Sequence, residues 1–297
     1  MFENAIENAL LYTRPIHIIT RNLQGQITPG AATLFFVNET GEAVTCKHVA
    51  NLLARSENSN RRYREYRTKV NALRFDEIEG GGKANLMVEY GFSETSSVQL
   101  KTNILNCFDR IQNITVHMHP TLDLAIVKFQ GFQKILYRNY AVFNKKNQMP
   151  RPGKLLCRVG FPFPEFTNFR YDKSTDEMGW TNQGILNSPS FPVEGMLTRF
   201  IGESGTMKIT GIELSTPGFK GHSGAPLFDE NGIVYGMQYA TKHLHLGFDI
   251  FDQEIDHNGR RVKVSNHPFL HAGMCVHAER IKEFLVEFGV KYYENNI

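Results

Sequence analysis

Cysteine is scarce in this chain. Its four residues, Cys46, Cys107, Cys157 and Cys275, are spread over 297 positions with no CxxC pair and no Cys/His cluster. That spacing encodes neither a disulfide-stapled scaffold nor a zinc site, and the thiols read as reduced. Charge of one sign is lacking too, since 33 Lys and Arg face 30 Asp and Glu; so small an excess does not call for nucleic acid as a partner. No apolar run approaches the ~20 residues that cross a bilayer, so no membrane association is expected. The first residues, MFENAIENALLYTRPIHII, open acidic and polar instead of with a basic region and an apolar core. They do not read as a secretory signal, and a cytoplasmic location is the expectation.

What the chain does have is core-forming material, 41% hydrophobic residues with 22 Phe among them. These are arranged as many short apolar runs broken by Gly, Pro and Asn, the pattern of a mainly β protein. Arg61, Arg62, Arg64, Arg67 and Lys69, with Tyr63 and Tyr66 between them, form one basic cluster, read as a solvated helical or loop insertion. It runs toward Gly80, Gly81 and Gly82, a surface turn. Histidine concentrates late, at His222, His243, His245, His257, His267, His271 and His277, but the spacing matches no metal signature. Asp256 to Gly259, DHNG, reads as a hairpin turn. Neither a metal nor a cofactor is expected.

The most informative segment is Thr216 to Asp229, TPGFKGHSGAPLFD. A serine alcohol becomes a nucleophile only with a base to take its proton and N–H donors to hold the oxyanion that forms. Gly221 and Gly224, without a Cβ, allow the sharp turn that exposes Ser223 Oγ and aims the amides of Gly221 and Ser223 at one point. The segment also approaches the GxSxG elbow of α/β-hydrolases, except that Ala225 stands in place of the last glycine. Two upstream segments separate these readings. Ala32 to Leu53 reads as two strands joined by a turn, then His48 at the start of a short helix. Thr121 to Phe129, TLDLAIVKF, starts a strand at Asp123 with Leu124 and Ile126 on one face and Ala125, Val127 and Phe129 on the other.

The order His48, Asp123, Ser223 is that of chymotrypsin-fold enzymes, whereas α/β-hydrolases run Ser, Asp or Glu, His. Together the THV-like, DLA and GHSGAP segments resemble the trypsin-like serine peptidases, among them bacterial intracellular and high-temperature-requirement protease domains. Similarity extends to PGKLLCRVGFP (152–162), to Gly184-Ile185-Leu186 as a following strand, to NGIVYGMQYA (231–240) and to AGMCVHAERIKEFL (272–285). The resemblance implies two packed six-stranded antiparallel β-barrels of chymotrypsin type and a C-terminal α-helix. An N-terminal barrel with a helical insertion would cover residues 1–147 and a C-terminal barrel 148–297. It implies a serine endopeptidase with the triad His48, Asp123 and Ser223 and an oxyanion hole from the amides of Gly221 and Ser223.

Pro217, Tyr239, Ala240 and Thr241 would line the substrate pocket. Pro217 stands where trypsin-like members place the acid that binds basic side chains, while Tyr239, Lys242 and His243 leave either a small apolar or an acidic residue open at P1, the residue whose carbonyl is attacked. His222 replaces the aspartate that pairs with a newly cut N-terminus in activated zymogens, so no activation of that kind is expected. The oxyanion loop is then ordered either constitutively or by an activating protein partner. A partner-gated or silent protease-like binding module, and more distantly an α/β-hydrolase-type esterase, are the competing readings. Protein or peptide is the expected substrate.

Overall fold

The computed structural model describes residues 1–146, 148–203, 205–206, 208–244, 250, 252–265 and 270–295; His245, His267 and Asn147, at the expected boundary, lie outside them. A short helix, α1 (Glu3–Tyr12), leads directly into β1 (Thr13–Asn22), β2 (Ile27–Phe36) and β3 (Glu42–Thr45). With β4 (Ser97–Ile104), β5 (Asn113–Met118) and β6 (Ala125–Gln130) these form a six-stranded sheet of order β4-β1-β2-β3-β6-β5. The remaining strands are β7 (Val142–Phe143), β8 (Leu155–Gly160), β9 (Phe169–Asp172), β10 (Glu177–Trp180), β11 (Phe191–Gly202), β12 (Ile209–Leu214), β13 (Pro226–Phe228), β14 (Ile233–Leu244), β15 (Gln253–His257), β16 (Arg260–Val264), β17 (Leu270–His277) and β18 (Tyr293–Glu294).

In the second sheet β13 pairs with both β8 and β14. The order β13-β8-β11-β12-β17-β14 therefore closes on itself as a six-stranded barrel. The short β7 and β18 add to its rim in parallel register, so the second sheet already begins at Val142. The fold is mainly β, with two six-stranded units of chymotrypsin type. Apolar residues of both units, from Ile16 and Phe35 to Val234 and Val276, join α1 and the terminal helix α5 (Ala278–Glu287) in one continuous core. Ile281, Phe284 and Leu285 of α5 are buried in it, as their helical spacing predicts. The turn at Asp256 to Gly259 joins β15 to β16, with Asn258 and Gly259 both at positive φ (54° and 75°), the conformation that Asn-Gly sequences favour in two-residue hairpins.

The first unit stays open. Among the described residues no strand pairs with the outer edge of β4, and the gap toward β5 is covered by α2 (Lys47–Asn71). At 25 residues α2 is far longer than the short helix expected after His48. It contains neither glycine nor proline, and Val49, Leu53, Ser56, Asn60, Tyr63, Tyr66 and Val70 recur at three- and four-residue spacing along one face, with Val49, Asn60, Tyr63 and Tyr66 buried. A bare strand edge is a row of unpaired donors and acceptors. The buried Asn60 acts as a strand surrogate: its Nδ2 donates to the Leu100 carbonyl (2.7 Å) and its Oδ1 accepts from the Leu100 N–H (2.9 Å). Ser56 Oγ donates to the same carbonyl at 2.7 Å.

The basic cluster lies on this helix. Tyr63 and Tyr66 are buried against Val98, Leu86 and Met87 of the insertion and sheet, not stacked on its outside. Arg64 and Arg67 reach Glu177 and Asp176 of the β9–β10 hairpin, Lys69 pairs with Glu89, Arg61 faces Glu65, and Arg62 donates to the Tyr90 carbonyl. Between α2 and β4 the chain folds into α3 (Phe75–Glu79) and α4 (Gly82–Glu89), with the three glycines at their junction. One expected strand is absent. Gly184 to Leu186 is irregular and exposed, with Gly184 at φ 88°, and the strand that pairs with β8 is β11 instead. Ile185 is held by Thr167, whose N–H donates to the Ile185 carbonyl and whose Oγ1 accepts from its N–H, leaving no ladder to join.

Removing the surrogate should be costly. Asn60→Ala should lower stability in chemical denaturation by about 1–3 kcal/mol, because it leaves the Leu100 N–H buried without a partner. Arg61→Ala, one residue away on the solvent face, should stay within about 0.5 kcal/mol of the parent. Equal effects of the two would contradict the role given to Asn60.

Candidate active site

Strand register brings His48 to Asp123. β3 and β6 are antiparallel with Thr45 opposite Ala125, so the residues just beyond β3 meet those just before β6 at one end of the sheet. His48 Nδ1 lies 2.6 Å from Asp123 Oδ2, and the His48 main-chain N–H donates to Asp123 Oδ1 at 2.9 Å. Burial pushes the Asp123 carboxyl up, but the hydrogen bonds from the His48 ring and main chain, the nearby imidazole and the Lys47 N–H outweigh it. The net effect holds Asp123 below the usual carboxylate range. The carboxylate thus fixes the ring with Nε2 turned away from it. Cys46 Sγ, His48 and Asp123 lie within 4.8 Å of one another. The thiol, however, donates to the Gln238 carbonyl, and burial together with the Asp123 charge pushes its pKa well above the ordinary value.

Ser223 sits in the loop between β12 and β13, and the first sheet holds that loop. Thr33 of β2 donates its N–H to the Ser223 carbonyl (2.9 Å) and its hydroxyl to the Gly221 carbonyl (2.7 Å). The same hydroxyl accepts from the Phe161 N–H, and the Thr33 carbonyl accepts from Thr45 Oγ1 at 2.7 Å. This closeness explains the glycines. A Cβ on Gly224 would stand 1.9 Å from the Thr33 carbonyl oxygen, and one on Gly221 would stand 2.5 Å from that of Phe161, while both residues have positive φ (91° and 96°).

His222 supplies a second tie. Fully buried, it accepts from the Phe219 N–H at Nδ1 (3.2 Å) and donates from Nε2 to the Phe191 carbonyl (2.9 Å). Each contact assigns one ring nitrogen, so the ring is the neutral Nε2–H tautomer. Burial drives its pKa down to about 4, with the Phe191 carbonyl opposing and Arg158 adding to the fall. Gly160 makes room for the ring, since a Cβ there would lie 2.8 Å from His222 Cδ2.

The amides of the loop divide sharply. Those of His222, Gly224 and Ala225 bond the carbonyls of Phe219, Gln238 and His222. Among the described residues those of Lys220, Gly221 and Ser223 bond nothing, and the last two flank His222 beside the Ser223 side chain. No hydrogen bond joins the His48 ring to the Ser223 hydroxyl among the described residues.

The four expected pocket residues, Pro217, Tyr239, Ala240 and Thr241, line a cavity of about 500 Å³ together with Ser223. Gly218, Phe219, Lys220, Gln238, His243 and His271 complete it. Thr241 Oγ1 couples the two walls, donating to the Gly218 carbonyl (2.7 Å) and accepting from its N–H (3.0 Å). His271 comes from β17, which pairs with β14 at His243; only the fold places it here, and no sequence spacing signals it.

The profile of the trypsin-like peptidase domain matches residues 32–237, more than half the chain. The chain belongs to the trypsin-like peptidase family. Members are hydrolases of peptide bonds, and the matched span of this peptidase contains His48, Asp123 and Ser223. Among solved structures it is similar to the Rv3671c protease of M. tuberculosis in its active form. Identity there is 12%, over 97% of this chain and 86% of that one, with a TM-score of 0.48. No curated protein matches. Among the described residues no helix of the peptidase is long and apolar enough to cross a membrane.

The buried neutral histidine has a measurable consequence. Because the folded pKa of His222 lies below that of the free side chain, its contribution to stability is complete above about pH 6.5 and is lost as pH falls toward 4. His17 and His277 are displaced in the same direction by burial. Stability should therefore decline across that window, and His222→Gln should remove part of the decline, of order 3 kcal/mol. Parallel pH profiles for the two proteins would contradict the assignment.

Proposed function

We propose that the peptidase is a serine endopeptidase that works through His48, Asp123 and Ser223 and an acyl-enzyme intermediate. The observation that carries the reading is the hydrogen-bonding pattern of the nucleophile loop. Among the described residues the amides of Gly221 and Ser223, on either side of His222, stand unused, as does that of Lys220, while the constraints from Thr33, His222 and the glycines hold the loop in place. In the proposed cycle Asp123 keeps the Nδ1–H of His48 toward itself, and Nε2 takes the Ser223 proton as Oγ attacks the substrate carbonyl. The oxyanion is received by the two free amides, each worth about 3 kcal/mol of barrier. His48 then passes the proton to the leaving amine, and water repeats the sequence to release the acyl group.

Because the ties on the oxyanion loop all lie within the chain, the reading includes activity without cleavage and without an activating partner. Protein or peptide is the substrate, with no nucleic acid, membrane, metal or cofactor taking part. A cytoplasmic place of action belongs to the same proposal, supported by four buried cysteines that are all free thiols.

A fluorophosphonate that lacks a peptide portion should label the isolated chain at neutral pH. Ser223→Ala should take up no label and cleave no unfolded protein substrate, while melting within a few degrees of the parent. Labelling at another residue, or cleavage by the alanine variant, would overturn the assignment; labelling only after a second protein is added would overturn the partner-free reading.

A further inference from the structure

Among the described residues the pocket beside Ser223 is lined by no carboxylate, yet cationic and donor groups converge on it. Lys220 lines it on the oxyanion loop. At its mouth His243 and His271 face each other with Nδ1 atoms 2.6 Å apart, one ring donating and the other accepting. Behind the wall lies Arg158, with no exposed surface at all. Its guanidinium reaches only neutral acceptors: Nη1 donates to Gln238 Oε1 (2.8 Å), and Nη2 donates to the Thr216 carbonyl (2.8 Å), Thr216 Oγ1 (2.9 Å) and the Pro217 carbonyl (2.6 Å). Among the described residues no acid pairs with it, so a charge that stays protonated in proteins is buried directly behind two pocket-lining residues without a counter-ion.

Arg158 also orients the pocket floor. Having no acceptor to offer, it fixes the Gln238 oxygen toward itself and turns the Gln238 NH₂ the other way. That NH₂ bonds the Ala240 carbonyl and lies directly under Gly218, where a Cβ would stand 2.5 Å from Nε2. Glycine at 218 therefore leaves room for this amide, and Gln238 and Gly218 both line the cavity. Gly273 makes room for the cation, since a Cβ there would lie 2.3 Å from Arg158 Nη1.

We infer that this pocket takes an acidic side chain, so that the peptidase cleaves after glutamate or aspartate. The inference rests on the proposed function. A carboxylate entering the cavity meets Lys220, the imidazole pair and Gln238, and it supplies the counter-charge that Arg158 lacks, while a lysine or arginine side chain meets the like charges of Lys220 and Arg158 with no described acid to offset them. A neutral glutamine side chain fits the same space but offers no charge to these groups, which makes it the informative competitor. Arg158 and Gln238 thus become specificity determinants, one by field and the other as part of the pocket lining.

The test compares four fluorogenic peptide amides that differ only in P1: Glu, Gln, Leu and Lys. In parallel a peptide-free fluorophosphonate reports Ser223 reactivity regardless of P1. Cleavage after Glu should exceed that after Gln by about tenfold or more in kcat/KM, with Lys slowest. Lys220→Gln and His271→Gln should each shrink the Glu-to-Gln ratio, through a raised KM for the Glu substrate. Labelled enzyme that cleaves Gln, Leu or Lys substrates as well as the Glu substrate would overturn the pocket assignment alone. Enzyme that is neither labelled nor active on any of the four would overturn the serine-peptidase reading and the pocket assignment with it.

Discussion

The peptide unit of Thr33 is the point on which the two halves of the molecule depend. Its N–H and hydroxyl fasten the Ser223 and Gly221 carbonyls, while its own carbonyl is fastened by Thr45, three residues before His48. A strand of the first sheet thereby sets the position of a loop that belongs to the second. Ser223 and the segment leading to His48 are tied to one hydrogen-bonded unit instead of resting on the packing of two separate bodies. Such bonds are short, buried and shared among few atoms, which suits a site whose geometry must hold to a fraction of an ångström.

Around that unit the sequence places groups that only close approach explains. Gly160, Gly221 and Gly224 are the places where a methyl group would collide with His222 or with backbone oxygens. His222 then fills a position where a charged aspartate would need an ammonium partner. A neutral imidazole with one donor and one acceptor joins Phe219 to Phe191 across the loop with no charge to compensate. The cost is exposure to acid, because the buried ring cannot take a second proton without losing the Phe219 contact. The same loop carries Lys220 into the pocket, so order in the Ser223 loop and the charge of the cavity beside it share one segment.

Much of this was legible in the chain. The glycines flanking Ser223, the DLA strand and the histidine after a β-hairpin are local patterns, and local patterns survive without a fold. The β-strand alternation, the DHNG turn and the apolar face of α5 were legible for the same reason. The length of α2 was not, because nothing in the sequence says that a polar, arginine-rich helix has a sheet edge to cover; Asn60 looks like any surface asparagine until Leu100 is placed beside it. Ile185 and Leu186 misled in the opposite sense, as strand-forming residues with no free ladder to join. Arg158 hid inside an apolar strand sequence, and His271 is 28 residues from the histidine it faces. Pocket composition of that kind comes from pairing register, which the sequence does not spell out.

His222 holds the loop around Ser223 from within as a neutral tie. Nitrogen-15 NMR of its ring in the folded protein tests this directly. The ring should be neutral at pH 6 with the proton on Nε2 and none on Nδ1, titrating only near pH 4. A ring that is charged at pH 6, or that carries its proton on Nδ1, would contradict it.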